Sequence, residues 1–437
     1  MLTKNQTYRQ HDNEKISFYR SSVDDLNSKD QLNADIDIDV CVIGGGLTGI
    51  SSALNLSKKG YTVAICEARK VGWGASGRNG GQLGIGMRKD QYTVEKMLGI
   101  NHAKELWNLG LESVDEVKSL IKENNIDCHL VNGVMSTACF EKDIDEYKFE
   151  IEHMSKNYQF EGYKYFNKSE IKHEIDSDIY QAGMLNSGSY HLNPLKLTIS
   201  LANLIKKNVK IYENNRVLKL YEKNDKVEIV TKNGIIKANK VVVACNGYLD
   251  TLLGSKKNKF IPINNYIVAT EPLGEKKARE IIRNNYAVCD TRFIIDYYRF
   301  SEDWRMIFGG GETFTSKFVK DSKSFVTKRM LKVFPQLKDY KIDYSWGGTL
   351  AITVNRLPHF GSIMNNKVIY AFGYSGHGLA LSVLAGKLIA EHINGNSDRF
   401  KFFSDISHMS IPCGSLLRRP IYSSTIMYYK FRDYLSS

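Results

Sequence analysis

"CVIGGGLTGISSALNLSKKGYTVAICEA", from Cys41 to Ala68, decides how this chain is read. Gly44, Gly46 and Gly49 stand in the spacing GxGxxG, an apolar run precedes them, and Glu67 closes the next apolar run. The patterning predicts a strand over Ile38–Ile43, a helix over Leu47–Lys59 and a second strand over Tyr61–Cys66. Gly44 permits a tight turn, Gly46 lets the backbone approach a pyrophosphate, and Gly49 lets helix and sheet close together. Unpaired N–H groups at the helix start favour phosphate. Glu67, with Ala68 beside it, is placed to accept hydrogen bonds from adenosine ribose hydroxyls. A carboxylate there repels a 2′-phosphate, which argues against NADP. The stretch predicts a dinucleotide-binding unit without saying which dinucleotide.

Working outward, three further segments narrow the choice. "GWGASGRNGGQ" (Gly72 to Gln82) follows Glu67 directly. Its small residues free backbone N–H groups for a ligand, and Ser76, Arg78, Asn79, Gly80, Gly81 and Gln82 are candidate contacts along a pyrophosphate toward a flavin ring. "VVVACNG" is an apolar strand ending in a turn at Gly247, a second candidate contact. The main chain of Val217 is a candidate for adenine. Near the far end, "VIYAFGYSGHGLALSVLAGKLIAEHING" repeats the order strand, glycine loop, helix. Gly373, Gly376, Gly378 and Leu379 open that helix, whose N-terminus favours negative charge developing on the pyrimidine edge of a reduced flavin. His377 either orients this loop or faces the ring, and Tyr374 either packs or walls a substrate cavity. A cofactor reaching from the first unit to the far end of the chain is FAD rather than a nicotinamide.

Composition excludes several classes. The chain has 437 residues and a formal net charge of +12, from 60 basic and 48 acidic side chains. No long basic tract with interleaved aromatics stands out, so the excess is read as solvated surface rather than a nucleic-acid face. Only the tail from Leu416 to Asp433 hints at one. The seven cysteines include no CxxC pair, which fits a reducing compartment. The histidines show no metal-binding spacing, so no metal is expected. The residues before Ile38 are polar, and no run of about 18 apolar residues occurs anywhere. The cytoplasm is the expected location.

The expected fold class is α/β, a Rossmann-like FAD-binding domain with a second, mixed-sheet substrate domain. Residues 1–37 read as an N-terminal arm, with "SFYRSSV" supplying aromatics to pin it. Segments 38–90, 191–250 and 345–400 are assigned to the FAD-binding domain, 91–190 and 251–344 to the substrate domain, and 401–437 to a tail. Strands are expected over Val217–Glu222, Lys226–Thr231, Ile235–Ala238 and, separately, from Lys240. A helix is expected around Lys317–Phe334.

At these motifs the chain resembles the FAD-dependent D-amino-acid oxidase/sarcosine oxidase superfamily, within it most of all the gamma-glutamylputrescine oxidoreductase group. "DVxVIGGGxTGLSxAxxLxxxGxxVxxxEA" is matched by Asp39 to Ala68 and "GxGASGRNGGQ" by Gly72 to Gln82. "WGGxxxxTxxxxPxxG" is matched from Trp346 to Gly361 and "GYSGHGxxxxxxxGxxxA" from Gly373 to Ala390. The resemblance implies a glutathione-reductase-like FAD fold of the DAO type, its second domain roofing the flavin. It implies hydride transfer from an amine-bearing carbon to flavin N5, imine hydrolysis, and reoxidation by O2 or another acceptor. The implied substrate is gamma-glutamylputrescine or a similar primary amine. The alternatives are a secondary amine or amino acid such as sarcosine, glycine or a D-amino acid, and a FAD-containing nucleic-acid-associated protein. Tyr374, His377, Arg78 and Glu312 are the implied catalytic set, with Gly310 beside Glu312. Arg292, Arg299 and Arg356 are candidates for a substrate carboxylate. Neither Cys413 nor His377 matches a loop for covalent attachment, so non-covalent FAD is expected.

Overall fold

A computed structural model describes residues 17–26, 30–313 and 318–411. Parts of the expected arm, together with Cys413 and the Leu416–Asp433 stretch, lie outside the described residues.

The apolar run VCVI (Val40–Ile43) is buried to its last residue, as a central parallel strand requires. It belongs to an eight-stranded sheet among the described residues. The strand Ile36–Ile43 lies between Val63–Cys66 and Ile235–Val243, parallel to both. Lys210–Tyr212 extends the sheet on one side, and Val368–Phe372 and His359–Ile363 extend it on the other. The segments read as two strands from Ile235 and from Lys240 form one strand. Its first half alternates, with Lys237 and Asn239 pointing off the core and Ile236 and Ala238 buried; Val241, Val242 and Val243 at its end are all buried. Polar residues on an outward face do not interrupt a ladder.

Helix Leu47–Lys58 follows the first glycine loop and helix Leu379–Ile393 follows the last. The two lie side by side. The Ser51 hydroxyl donates to the Val383 carbonyl at 2.6 Å, and a Cβ on Gly386 would come within 2.5 Å of Ser51. Helix Ile100–Glu123 joins this layer through Lys387, which is paired with Glu112 at 3.0 Å and Glu116 at 2.7 Å.

A sheet that is nine-stranded among the described residues, mostly antiparallel, faces the first. Ile342–Thr353, Phe260–Thr270 and Met306–Thr313 form one side of it, and Val131–Ala138 and Ala182–His191 the other. Two assignments differ from expectation. The strand Ile342–Thr353 pairs with Phe260–Thr270 along its whole length, so residues 345–353 belong to the second sheet. Gln82–Leu83 pairs with Tyr190 and His191 in that sheet as well, so the glycine loop passes from one sheet to the other. The helix expected around Lys317–Phe334 spans Ser322–Val333; Asp321 caps it by accepting the Ser324 N–H. Phe18 and Tyr19 of the arm are buried, and the Tyr19 ring meets Trp346 edge-on at 5.4 Å. No described helix is long and apolar enough to cross a membrane.

Candidate active site

A cavity of about 630 Å³ lies between the two sheets. Its floor is the βαβ unit. Gly44 has φ +112°, and a Cβ there would strike the Ala244 carbonyl at 2.8 Å. A Cβ on Gly46 would meet Ser76 Oγ at 2.8 Å, the same oxygen that accepts the Leu47 N–H at 3.0 Å. Gly46 caps the helix without a side chain, so the first turn's other N–H groups stay turned toward the cavity. Glu67 is bound through both oxygens: Oε2 accepts the Gly45 N–H at 2.7 Å and Oε1 the Arg69 N–H at 2.8 Å. Burial raises its pKa, against these two hydrogen bonds.

The loop after Glu67 is shaped by its own polar side chains. Asn79 Nδ2 donates to the carbonyls of Ala75 and Ser76 at 3.0 and 3.1 Å, and its Oδ1 accepts the Gly81 N–H at 2.8 Å. Arg78 donates to the carbonyls of Trp73 at 2.7 Å and Gly347 at 3.1 Å, and its guanidinium lies over the Trp73 ring. Gln82 Nε2 donates to the Val288 carbonyl at 2.9 Å. These side chains line the cavity and also tie the loop to the roof.

At the far wall Tyr374 shares a 2.8 Å hydrogen bond with Thr48 across the two glycine-loop units. Burial raises its phenol pKa, so it is a neutral hydroxyl. Gly376, Gly378 and Leu379 reach the wall, as do Gly44, Gly46, Glu67, Ala68, Ser76, Gly80, Val217 and Glu312. Gly49, Gly81, Gly247, Gly373 and His377 do not. Gly49 sits where a Cβ would collide with the Gly44 carbonyl at 1.9 Å, and Gly247 passes close over Thr349. Gly373 donates its N–H to Asn246 Oδ1 at 3.0 Å, and the Gly81 carbonyl accepts the Leu192 N–H. His377 lies behind the wall. Burial and the nearby Arg88 push its pKa down to about 4, so the neutral ring donates Nε2–H to the Ile85 carbonyl at 3.0 Å.

The roof comes from the second sheet. The three carboxylate-binding candidates part company there. Arg292 is paired with Asp290 at 2.9 Å and Asp296 at 2.8 Å. Arg299 is buried away from the cavity and donates to Gly80, Phe300 and Tyr19. Arg356 reaches the wall from a turn in which it holds φ +66°. Sequence reading missed Arg88, Asn265 and Tyr297, which also line the cavity. Asn265 is buried, takes the Tyr297 hydroxyl on Oδ1 and donates to the Gly311 carbonyl at 3.3 Å. Its signal was available: two adjacent asparagines interrupt the apolar strand FIPINNYIVAT, and buried polar groups need partners.

A model of the FAD dependent oxidoreductases, the DAO family, matches residues 39–392. The chain belongs to this family. Over 424 residues, this FAD-dependent oxidoreductase is 36% identical to the gamma-glutamylputrescine oxidoreductase of Escherichia coli, which covers 96% of this chain and 98% of the relative. It is 38% identical over 401 residues to OrdL, a probable oxidoreductase of Haemophilus influenzae, covering 90% and 92%. The fold is shared with glycine oxidase from Geobacillus kaustophilus (TM-score 0.70, 20% identity, 82% of this chain and 95% of that one). It is also shared with L-amino acid deaminase from Proteus myxofaciens (TM-score 0.71, 17% identity, 89% and 96%).

The cavity suits the family's cofactor. The bare backbone at Gly44 and Gly46, which any Cβ would fill, leaves room for a pyrophosphate against the helix start. Glu67 stands at the end of the second strand, where a ribose would lie, and the cavity runs on to the roof without a break. FAD supplies the two-electron acceptor, and the protein supplies binding, orientation and electrostatics.

Proposed function

We propose that this flavoenzyme oxidises the primary amine of gamma-glutamylputrescine or a closely similar gamma-glutamyl amine, in the cytoplasm. The reading is supported by the likeness to the Escherichia coli gamma-glutamylputrescine oxidoreductase over nearly the whole of both chains. The substrate R–CH2–NH2 gives up a hydride and a proton to become R–CH=NH, and water then yields the aldehyde and ammonia. FAD, held in this cavity, would supply the hydride acceptor and the route of the electrons to O2 or another acceptor. The chain's own residues have three tasks: to hold the donor carbon against the cofactor, to keep the amine neutral, and to exclude bulk water.

In this reading Tyr374 and Arg78 wall the reacting space, Asn265 and Tyr297 close the roof above it, and Glu312 contacts the substrate. His377 acts from behind the wall as a positioning residue. The test is anaerobic mixing of the yellow holoenzyme with gamma-glutamylputrescine, putrescine, sarcosine, glycine and D-alanine. Bleaching by gamma-glutamylputrescine at the lowest concentration supports the reading. Bleaching by an amino acid or sarcosine alone overturns it.

A further inference from the structure

Arg88, Arg356 and Glu312 line the cavity from the roof side with no hydrogen bond or ion pair to a described residue, and Lys89 lines it beside Arg88. They come from separate places. Arg88 follows the short strand Gln82–Leu83, Arg356 sits in the turn after Ile342–Thr353, and Glu312 lies near the end of Met306–Thr313 opposite Asn265. Their fields overlap. Burial raises the Glu312 pKa while Arg356, Arg88 and Arg329 act to lower it, and burial followed by Arg356 lowers that of Arg88. Arg88 is exposed and opens on the cavity.

Neither guanidinium is paired with a described carboxylate. Two of them, with Lys89 beside them, against one carboxylate give this part of the cavity a net positive charge that suits an anionic group. The cofactor pyrophosphate does not answer it, because its cradle is at the start of helix Leu47–Lys58 on the other sheet. The backbone that leads to Arg88 is held in place. The Ile85 N–H donates to Ser189 Oγ at 3.2 Å, the Ile85 carbonyl takes the His377 proton, and Gly86 is pressed against Gly110, where a Cβ would come within 2.6 Å. An arginine pair beside a carboxylate matches a group carrying one carboxylate and one ammonium.

We propose that Arg88, Arg356 and Glu312 form a head-group subsite, remote from the amine being oxidised, that recognises the free amino-acid end of a gamma-glutamyl amine. The two guanidiniums take its α-carboxylate and Glu312 takes its α-ammonium. This rests on the function proposed above and goes beyond it, by assigning the residues that separate a gamma-glutamyl amine from a bare diamine.

Three amides of putrescine test the assignment on the holoenzyme: gamma-glutamyl, glutaryl (no α-ammonium) and 4-aminobutanoyl (no α-carboxylate). Flavin reduction gives kcat/KM for each. In the unaltered enzyme each missing charge lowers kcat/KM by about 10- to 100-fold, the range of a charged hydrogen bond. Glu312→Gln brings the gamma-glutamyl to glutaryl ratio close to one. Arg88→Gln and Arg356→Gln bring the gamma-glutamyl to 4-aminobutanoyl ratio close to one. Ratios unchanged in variants that keep their flavin overturn the subsite while the amine oxidation stands. If no amide bleaches the flavin, gamma-glutamylmethylamide is titrated against the flavin spectrum. Binding that the three variants each weaken keeps the subsite and removes only the oxidation; no binding removes both. Should Arg88→Gln lose its flavin, Arg88→Lys keeps the charge without the fork, and a partial fall in the ratio is expected.

Discussion

Glu150 shows how much a single enclosed charge decides. It lies on helix Lys142–Tyr158 near Tyr163. Burial first, then the like charges of Asp90 and Glu146, raise its pKa to about 7. The folded protein therefore holds this proton more tightly than the unfolded chain does. Stability from the neutral form is complete below the ordinary carboxylate pKa near 4.5 and is lost as pH rises to about 7. Glu150→Gln removes the charge, so the variant is more stable than the parent at pH 8 by up to about 3 kcal/mol. The gap narrows through the window and closes near pH 4. Thermal unfolding of holoenzyme at pH 4, 6 and 8 checks this, and a gap independent of pH rules it out. The same scale shows what was legible in the chain. Gly44, Gly46 and Glu67 announce themselves because their spacing is local. Arg88 did not, because nothing near it in the chain marks it; its meaning comes from Glu312 and Arg356, which the fold brings to it. His377 sits in the most recognisable turn, yet it points to Ile85 and away from the cavity, a choice that no local pattern records.

Among the elements, the two helices that follow glycine loops form the most demanding contact. Both were legible from strand, turn and 3.6-residue periodicity, and their similar order along the chain is matched by their side-by-side packing. What the pattern does not show is which small residues face each other. Gly386 meets helix Leu47–Lys58 so closely that a Cβ would lie 2.5 Å from both Ser51 Cβ and Ser52 N. One of these is backbone and cannot swing aside. Gly386→Ala improves helix propensity by about 1 kcal/mol but forces the helices apart, at a cost of about 1–3 kcal/mol. The expected net result is a Tm lower by a few degrees, with weaker flavin retention because Thr48 and Tyr374 are drawn apart. An unchanged or higher Tm would show that the helices part without strain. One strand is hard to place from the chain alone, for a related reason. Ile342–Thr353 carries the motif glycines Gly347 and Gly348 beside Arg78, so it reads as part of the cofactor domain, although its ladder runs with the roof.

For the molecule as a whole, the question is what holds the roof on the floor. Bound FAD would span the gap, but side chains already join the pieces without it, among them Arg299. Arg299 sits on strand Tyr297–Phe300 and is buried to 2% exposure. It donates to the Gly80 carbonyl of the glycine loop at 2.8 Å, to Phe300 at 3.0 Å, and to the Tyr19 hydroxyl of the arm at 3.1 Å. Tyr19 in turn lies against Trp346 of the roof. Roof, loop and arm thus meet at one guanidinium. Arg299→Met keeps most of the volume and removes every donor, leaving the Gly80 carbonyl and the Tyr19 hydroxyl without this partner, a loss of about 3 kcal/mol. The damage falls on the loop that lines the cofactor cavity, so two readouts should move together: a lower Tm, and faster loss of flavin on dilution. Ligand linkage separates the causes. Excess FAD raises the Tm of any variant whose folded form still binds it, by an amount that grows with the logarithm of its concentration. If Arg299 works through the loop, the variant's Tm climbs toward the parent's as FAD is added. A Tm that stays low at saturating FAD, with parental flavin affinity, would show that Arg299 only packs the roof.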